Sequence, residues 1–314
     1  MNNGFQLLTG THQITSQQDQ KKNVDLHLIN LKTLNKDRYF PDKQGEINGI
    51  GGLCLMNNGK NILLGDKSGQ IYVLDYLAPN PNNLRNKKTH QPMNVAERIS
   101  PEIDSIQEIC CSPDDNKLAF GDGDKVGTIH VYDYETKKKE QSFIEGYSKI
   151  NQLQWHPSQA IIMSGNENKY INLWCPKQKE SLLKIYQSSG VNKSLWHKNG
   201  NWILSCGSDK TIKLYDIRNP QEFKEYKCKS EVKSLCWHPN DPYVFASGEI
   251  NGKILQWNIN SEVCIDQTKS DKIEENERND KVEISDIKYN PQGTLLAAFG
   301  RDKKLQVFST QQKE

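Results

Sequence analysis

The sequence predicts an all-β protein built from seven similar sheets arranged in a ring. A short pattern recurs seven times in 314 residues: a few apolar residues, a glycine, a polar turn and an alternating strand. Successive glycines in the middle of the chain are 44, 42 and 41 residues apart, which suits a repeating unit of four strands. The strands are apolar on both faces, as expected for sheets sandwiched between neighbouring sheets.

The glycine of each copy fixes the position of one repeat. The seven glycines are Gly10, Gly65, Gly121, Gly165, Gly207, Gly248 and Gly300. The longer intervals toward both ends contain insertions near residues 15–23, 77–101 and 269–281. Because blades packed side by side around a ring bury both faces of every sheet, we expect one domain over residues 1–314, a seven-bladed β-propeller.

Each copy contains two strand signals. After the glycine, pairs such as Ile129 and Val131 point to one face. The other face carries a large side chain in most copies, namely Leu74, Tyr132, Trp174, Tyr215, Trp257 and Phe308. Before the glycine, a β run ends in turn residues, as in the Trp-His-Pro turns of His156 and His238. These signals predict antiparallel strands joined by tight turns.

The two ends of the chain predict weak or incomplete ring closure. The first glycine is only ten residues from the start, so blade one begins at its second strand, and the last blade stops at Glu314 shortly after its third strand. Propellers usually close when one terminus completes the blade of the other, which removes exposed edges. Residues 1–5 and 310–314 offer little strand for this, so we expect that the ring closes imperfectly or that a partner covers the gap.

Composition excludes several classes of protein. Lys and Arg total 41 against 39 Asp and Glu, a formal charge of +2, which argues against a protein that coats nucleic acid or an anionic membrane. No stretch approaches 18 consecutive apolar residues, and the start lacks the features of a signal peptide. The eight cysteines are then expected to be reduced thiols of the nucleus or cytoplasm rather than disulfides of a secreted protein.

Catalytic and metal-binding motifs are missing from the sequence. It contains no Cys-x-x-Cys, G-x-S-x-G, P-loop or dinucleotide-binding fingerprint. Cys236 and His238 share a strand, but Cys228 lies eight residues away across a turn, which is poor zinc-ligand spacing. We therefore expect no enzyme activity, no metal, no cofactor and no small-molecule substrate.

The repeats resemble those of the WD-repeat family. The best single match is GSDKTIKLYD at Gly207–Asp216, and the closing dipeptide is degenerate, as in Tyr132-Asp133 and Trp257-Asn258. The Gly-His dipeptide that precedes each blade in that family is missing, with Gly146-Tyr147 as its nearest remnant. The resemblance implies a scaffold for protein–protein interaction. It also implies that the family's buried His–Ser–Asp–Trp network cannot form in full, so we expect a propeller of modest stability.

Blades three to seven are similar to the WD-repeat subunit of the cleavage and polyadenylation specificity factor. The most specific stretch is NGNWILSCGSDKTIKLYDIRN at Asn199–Asn219. This resemblance implies a nuclear scaffold of mRNA processing (polyadenylation), docked beside a large multi-propeller subunit and a zinc-finger subunit. The alternative is a WD-repeat adaptor of another complex, nuclear or cytoplasmic, without RNA contact.

The same resemblance predicts a weak RNA-binding site. The family stacks RNA bases on an aromatic residue after blade one, the region that Arg38, Tyr39 and Phe40 occupy here. The alternative, that Tyr39 and Phe40 pack blade one against blade two, is the more expected of the two roles. The insertion at 77–101 is either a solvated loop or a basic contact for phosphate, and the one at 269–281 is expected to be a solvated loop of mixed charge. Because the family's basic arm ahead of blade one is missing, we expect weak binding. The candidate residues are Arg38, Tyr39, Phe40, Lys43, Arg85, Lys87 and Lys88.

Overall fold

The computed structural model describes the backbone of most of the chain. The described residues are 6–13, 23–30, 36–41, 47, 49–75, 91–92, 94–123, 126–146, 148–261, 264–269, 283–301 and 305–310; side chains are described at 47, 49–75, 95–123, 126–146, 148–261, 264, 283–301 and 305–310. Strands, turns and bends make up the ordered structure, and no helix occurs in these ranges, hence none that could span a membrane. The all-β prediction is therefore confirmed.

Twenty-seven strands occur in the described residues. The first fourteen are β1 (Gln6–Gln13), β2 (Asn23–Asn30), β3 (Lys36–Pro41), β4 (Ile50–Leu55), β5 (Asn61–Asp66), β6 (Ile71–Asp75), β7 (Gln91–Pro92), β8 (Asn94–Ile99), β9 (Ile106–Cys111), β10 (Lys117–Asp122), β11 (Thr128–Asp133), β12 (Lys139–Ile144), β13 (Ile150–Trp155) and β14 (Ile162–Asn166). The others are β15 (Tyr170–Trp174), β16 (Ser181–Tyr186), β17 (Val191–Trp196), β18 (Trp202–Gly207), β19 (Thr211–Asp216), β20 (Phe223–Lys227), β21 (Val232–Trp237), β22 (Val244–Glu249), β23 (Lys253–Asn258), β24 (Cys264–Lys269), β25 (Ile284–Tyr289), β26 (Leu295–Gly300) and β27 (Leu305–Ser309).

The strands form sheets of the kind found in propeller blades. In chain order, sheet 1 is β1-β2-β3-β7, sheet 2 is β4-β5-β6-β8, sheet 3 is β9-β10-β11-β12, sheet 4 is β13-β14-β15-β16, sheet 5 is β17-β18-β19-β20, sheet 6 is β21-β22-β23-β24 and sheet 7 is β25-β26-β27. Sheets 1 to 6 have four strands and sheet 7 has three, so six complete blades are described and the predicted count of seven is wrong for complete blades. The count differs because, in the described part of the chain, no further strand hydrogen-bonds to β27 to complete sheet 7. Sheet 1 is also irregular, because its outer strand β7 pairs with β3 in parallel.

The sheets belong to two compact units. One unit contains sheets 1, 2 and 3, the other contains sheets 5, 6 and 7, and sheet 4 has residues in both. Within the first unit, strand β9 contacts both β4 and β13; within the second, β21 contacts both β17 and β25. The first strand of a sheet therefore packs against the first strands of its neighbours, and apolar clusters fill the space between sheets 2 and 3 and between sheets 5 and 6.

Close packing between sheets explains why the repeat has a glycine in its second strand. A methyl group at Gly65 would lie 2.4 Å from the Ile106 side chain of the next sheet, and one at Gly248 would lie 2.5 Å from the Ile284 side chain. Ile106 and Ile284 each begin the first strand of the following sheet. The glycine therefore leaves room for a β-branched residue of the neighbouring sheet, where any larger side chain would overpack the site.

The turns between first and second strands are held by side-chain caps. His156 Nδ1 accepts hydrogen bonds from the amides of Ser158 and Gln159 at 3.1 and 3.0 Å. His238 Nδ1 likewise accepts one from the Asp241 amide at 2.8 Å. A ring nitrogen that accepts from backbone amides is unprotonated, so both side chains act as structural turn caps. Both histidines thus lie in turns between strands, where the sequence pattern predicts tight turns.

Buried polar networks connect side chains within sheets 4 and 5. In sheet 4, Trp174 Nε1 donates to Ser164 Oγ at 2.8 Å and lies 3.3 Å from a carboxylate oxygen of Glu145, which also accepts from the Ser164 hydroxyl. In sheet 5, Gln187 Nε2 donates to the Tyr215 hydroxyl at 2.9 Å and Gln187 Oε1 accepts from Ser205 Oγ at 3.3 Å. A carboxylate therefore completes the buried network in sheet 4, and an amide completes the one in sheet 5.

A buried carboxylate is expected to make stability depend on pH. Burial raises the pKa of Glu249, which has no exposed surface. Ionisation therefore costs more in the folded state than in the unfolded state, and stability is lost as pH rises above the ordinary glutamate value of about 4.3. We expect Glu249→Gln to be more stable than the parent at pH 7, with a difference that shrinks toward pH 4, as measured by urea denaturation at both pH values.

Glu231 supplies a control of opposite sign. Burial raises the pKa of its carboxyl group, but the hydrogen bonds from Lys233 and Asn192, at 2.5 and 3.0 Å, outweigh burial and lower the pKa. Its favourable contribution is present at neutral pH and is lost as pH falls. Glu231→Gln should therefore be less stable than the parent at pH 7. If Glu249→Gln were less stable than the parent at pH 7, as Glu231→Gln is expected to be, the burial argument for Glu249 would be wrong.

Two predictions fall outside the described residues. Imperfect closure of the ring depends on residues 1–5 and 311–314, so it stays a prediction. Most of the insertions at 15–23, 77–101 and 269–281 also fall there. At the end of the second insertion, however, the structure shows β8, which pairs with β6 as the outer strand of sheet 2.

Candidate functional site

The residues proposed to bind RNA lie wholly or partly outside the described structure. Arg38, Tyr39 and Phe40 lie in β3, where the backbones of Arg38 and Tyr39 pair with Gln91 and Pro92 of β7. The side chains of these three residues lie outside the described part of the structure, as do Lys43, Arg85, Lys87 and Lys88 entirely. The RNA site therefore stays a prediction.

A groove between sheets 5 and 6 is the candidate binding site in the described structure. It is open to solvent and has a volume of about 420 Å³, in the size range of binding pockets. The lining residues are Trp202, Leu214, Asp216, Glu222, Phe223, Lys224, Tyr243, Ile259 and Asn260. They come from the starts of β18 and β20, the end of β19, and the segments flanking β22 and β23. We call this site the aromatic groove.

Exposed aromatic rings stand over an apolar floor in the aromatic groove. Phe223 and Tyr243 are each 47 % exposed, although both side chains are large and hydrophobic. Leu214 and Ile259 are buried beneath them as part of the core of this unit. Trp202 is half-buried and packs on the His197 ring at a centroid distance of 5.1 Å. The groove therefore offers a preformed surface for a bulky apolar side chain.

The carboxylate at one end of the groove is held in its charged form. Asp216 accepts two hydrogen bonds from the Arg218 guanidinium, at 2.8 and 2.5 Å, and one from Trp202 Nε1 at 3.3 Å. The hydrogen bonds from Arg218 lower the pKa of Asp216 to about 2. Trp202 is thus oriented by a carboxylate that stays ionised throughout the physiological pH range.

The floor of the groove is fixed by hydrogen bonds to one carbonyl group. The Ile259 carbonyl oxygen accepts from Lys224 Nζ and from the Tyr226 hydroxyl, both at 3.1 Å. The Ile259 amide donates to the Tyr243 carbonyl at 2.8 Å. Because these bonds tie β20 to the segments around β22 and β23, the groove keeps its shape without an occupant.

The groove offers both apolar and polar contacts to a bound molecule. Its lining combines aromatic and aliphatic surface with two carboxylates, an ammonium and an amide. In the described ranges, no group of three or more His, Cys, Asp or Glu side chains is arranged to hold a metal ion. The motifs analysed in the sequence gave no sign of this site, because its residues occupy unrelated positions of two successive repeats.

The comparison with protein families matches this part of the chain. The family model of the WD domain, G-beta repeat (WD40) matches residues 138–175, 180–216 and 220–258. These three segments are WD40 repeats. The resemblance inferred from GSDKTIKLYD is confirmed for the central blades, and the aromatic groove lies where the second and third of these WD40 repeats meet. The repeat at 220–258 begins with β20, the outer strand of sheet 5, and continues into sheet 6, so it links the two sheets that form the groove.

The comparison with curated proteins gives no match. The narrower resemblance to the polyadenylation factor therefore rests on the sequence stretches alone. The WD40 repeats support the coarser conclusion, since propellers of this type are typically scaffolds that bind protein partners.

Proposed function

We propose that the protein is a non-catalytic scaffold and that the aromatic groove docks an extended segment of a protein partner through a bulky apolar anchor side chain. The observation that carries this proposal is the pair of half-exposed rings, Phe223 and Tyr243, above a buried floor in a cavity of about 420 Å³. Exposed aromatic residues around a preformed apolar pocket are typical of binding hot spots.

The polar groups of the groove favour a peptide over a wholly apolar ligand. Glu222 and Asn260 are exposed at its rim, where they can hydrogen-bond the backbone of an extended segment. Arg218 and Lys224 offset the charges of Asp216 and Glu222, so the site favours no strongly charged partner. The anchor therefore supplies the affinity, and the rim supplies the orientation.

The second part of the proposal names the complex to which the scaffold belongs. We propose the mRNA 3′-end processing machinery, on the resemblance of stretches such as Asn199–Asn219 to the WD-repeat subunit of the cleavage and polyadenylation specificity factor. The partners would then be a large multi-propeller subunit and a zinc-finger subunit, in the nucleus. The alternative is an adaptor of another complex, which would use the same groove without contacting RNA.

Affinity purification of the full chain tests the proposal. We expect the double variant Phe223→Ser/Tyr243→Ser to lose at least one partner by roughly tenfold or more, because both rings are removed from the groove. The matched control is Tyr170→Ser/Tyr186→Ser, which removes another pair of exposed aromatic residues, 39 % and 62 % exposed, that contact each other outside the groove. Partners are quantified by mass spectrometry. Equal recovery of every partner with the parent and the groove variant would refute docking in the groove.

The identity of the recovered proteins decides the assembly. Recovery of the multi-propeller and zinc-finger subunits supports 3′-end processing, whereas a different stable set of partners supports the adaptor alternative. Ultraviolet cross-linking before the same purification tests RNA contact. RNA recovered with the parent and reduced by Tyr39→Ala/Phe40→Ala would support base stacking on these residues. An unchanged RNA yield would exclude that site while leaving the groove proposal intact.

A further inference from the structure

Two cysteine side chains from neighbouring sheets face each other within the first unit. Cys54 Sγ of β4 and Cys111 Sγ of β9 are 3.5 Å apart, although the residues are 57 positions apart in the sequence. Both residues are free thiols in the structure. Because a disulfide bond is about 2.05 Å long, the two sulfur atoms need to approach by only about 1.5 Å to form one.

The close approach of the two sheets follows from consecutive glycines in β4. A methyl group at Gly51 would lie 1.7 Å from the Ile106 carbonyl oxygen, and one at Gly52 would lie 2.7 Å from the Ile109 amide nitrogen. The backbones of β4 and β9 can therefore approach more closely than side chains would allow. This close approach places Cys54, near the end of β4, against Cys111, at the end of β9.

The surroundings make one thiol accessible and hold the other in place. Cys54 is partly exposed, whereas Cys111 is 9 % exposed and accepts a weak hydrogen bond from Asn57 Nδ2 at 3.8 Å. The hydrogen bond between the two thiols lowers the pKa of Cys54 and raises that of Cys111, with burial opposing the effect at Cys54. A thiol with a lowered pKa and solvent access is the more reactive of a pair.

We propose that Cys54 and Cys111 form a redox modification site, in which hydrogen peroxide converts the two thiols into a disulfide that links β4 to β9. The Cys54 thiolate attacks one peroxide oxygen and displaces hydroxide, so that Cys54 becomes a sulfenic acid. The displaced hydroxide takes up a proton and becomes water. Cys111 sulfur then attacks the Cys54 sulfur, and the hydroxyl group leaves with the Cys111 proton as a second water. The two thiols lose two electrons, and one peroxide is reduced to two waters.

Cys110 is the alternative partner for Cys54. It adjoins Cys111 in β9, is 7 % exposed and belongs to the apolar cluster that contains Trp155, against which Cys54 also packs. Adjacent residues of a strand point to opposite faces, so Cys110 is directed toward sheet 4 when Cys111 faces sheet 2. The proposal therefore distinguishes between two adjacent cysteines.

Peptide mapping of the full chain under non-reducing conditions tests the site. After treatment with hydrogen peroxide, we expect the tryptic peptide that contains Cys54 to be linked to the peptide that contains Cys110 and Cys111. The linkage should persist in Cys110→Ser and disappear in Cys54→Ser and in Cys111→Ser. The free Cys54 thiol should be consumed roughly tenfold faster than that of Cys175, another partly exposed cysteine.

The variant without the resolving thiol gives a second measurement. In Cys111→Ser, the sulfenic acid on Cys54 has no partner and should be labelled by a cyclic 1,3-diketone, whereas the parent should show little labelling. Linkage through Cys110, loss of linkage in Cys110→Ser, or consumption of Cys54 no faster than that of Cys175 would each overturn the proposal. Circular dichroism of each variant confirms that the chain is folded before treatment.

Discussion

Replacing Gly127 with alanine is expected to destabilise the protein by roughly 2–5 kcal/mol, through left-handed backbone strain together with overpacking. Gly127 has a φ angle of +66°, and a methyl group on it would lie 1.9 Å from the carbonyl oxygen of Ser148, a buried residue. The Gly127 carbonyl also accepts a hydrogen bond from the Glu145 amide at 3.0 Å, so a shift of this segment disturbs a second contact. Equilibrium urea denaturation followed by tryptophan fluorescence measures the loss.

Gly146 separates the two causes. Its φ angle is +92°, but a methyl group there would meet no atom within 4 Å. Gly146→Ala therefore carries only the backbone penalty, about 1–2 kcal/mol. The steric part at Gly127 is the difference between the two variants, and equal losses would show that the Ser148 carbonyl moves away freely.

The repeat pattern predicted the fold because packing imposes it on every sheet. The anchor glycines mark where a neighbouring isoleucine enters, as at Gly65 and Ile106, and the histidines of the Trp-His-Pro turns cap backbone amides. Features of this kind recur with each sheet and so leave a periodic trace in the sequence. The count of complete blades failed because the copy anchored on Gly300 lacks a described fourth strand.

The sequence did not predict the sites because their residues follow no period. Phe223 and Tyr243 occupy different positions of the repeat and meet only when sheets 5 and 6 pack together. Cys54 and Cys111 belong to different sheets, and their proximity depends on the close backbone approach at Gly51. Glu145 and Gln187 join buried hydrogen-bond networks, yet neither residue belongs to a motif that recurs in the repeats.

The packing beneath the groove predicts a second large effect. Phe245 has no exposed surface, and its ring lies 5.2, 5.7 and 6.2 Å from the rings of Tyr226, Trp237 and Trp257. Phe245→Ala should cost about 3–5 kcal/mol, because it removes a large apolar side chain and leaves a cavity. Tyr243→Ala, two residues earlier and 47 % exposed, should cost less than about 1 kcal/mol. Urea denaturation of both variants provides the comparison.

Variants of Phe245 and Tyr243 should distinguish an effect on folding stability from an effect on partner binding. Phe245 belongs to the same apolar cluster as Leu214 and Ile259, which form the groove floor. Phe245→Ala should therefore lower stability, and it should also weaken partner binding because the floor loses its support. Tyr243→Ala removes only a wall of the groove and should weaken binding while leaving the unfolding midpoint nearly unchanged. A side chain that only contacts a partner can be removed without changing the stability of the isolated chain. If Tyr243→Ala lost as much stability as Phe245→Ala, the Tyr243 ring would therefore support the sheet rather than serve only in binding.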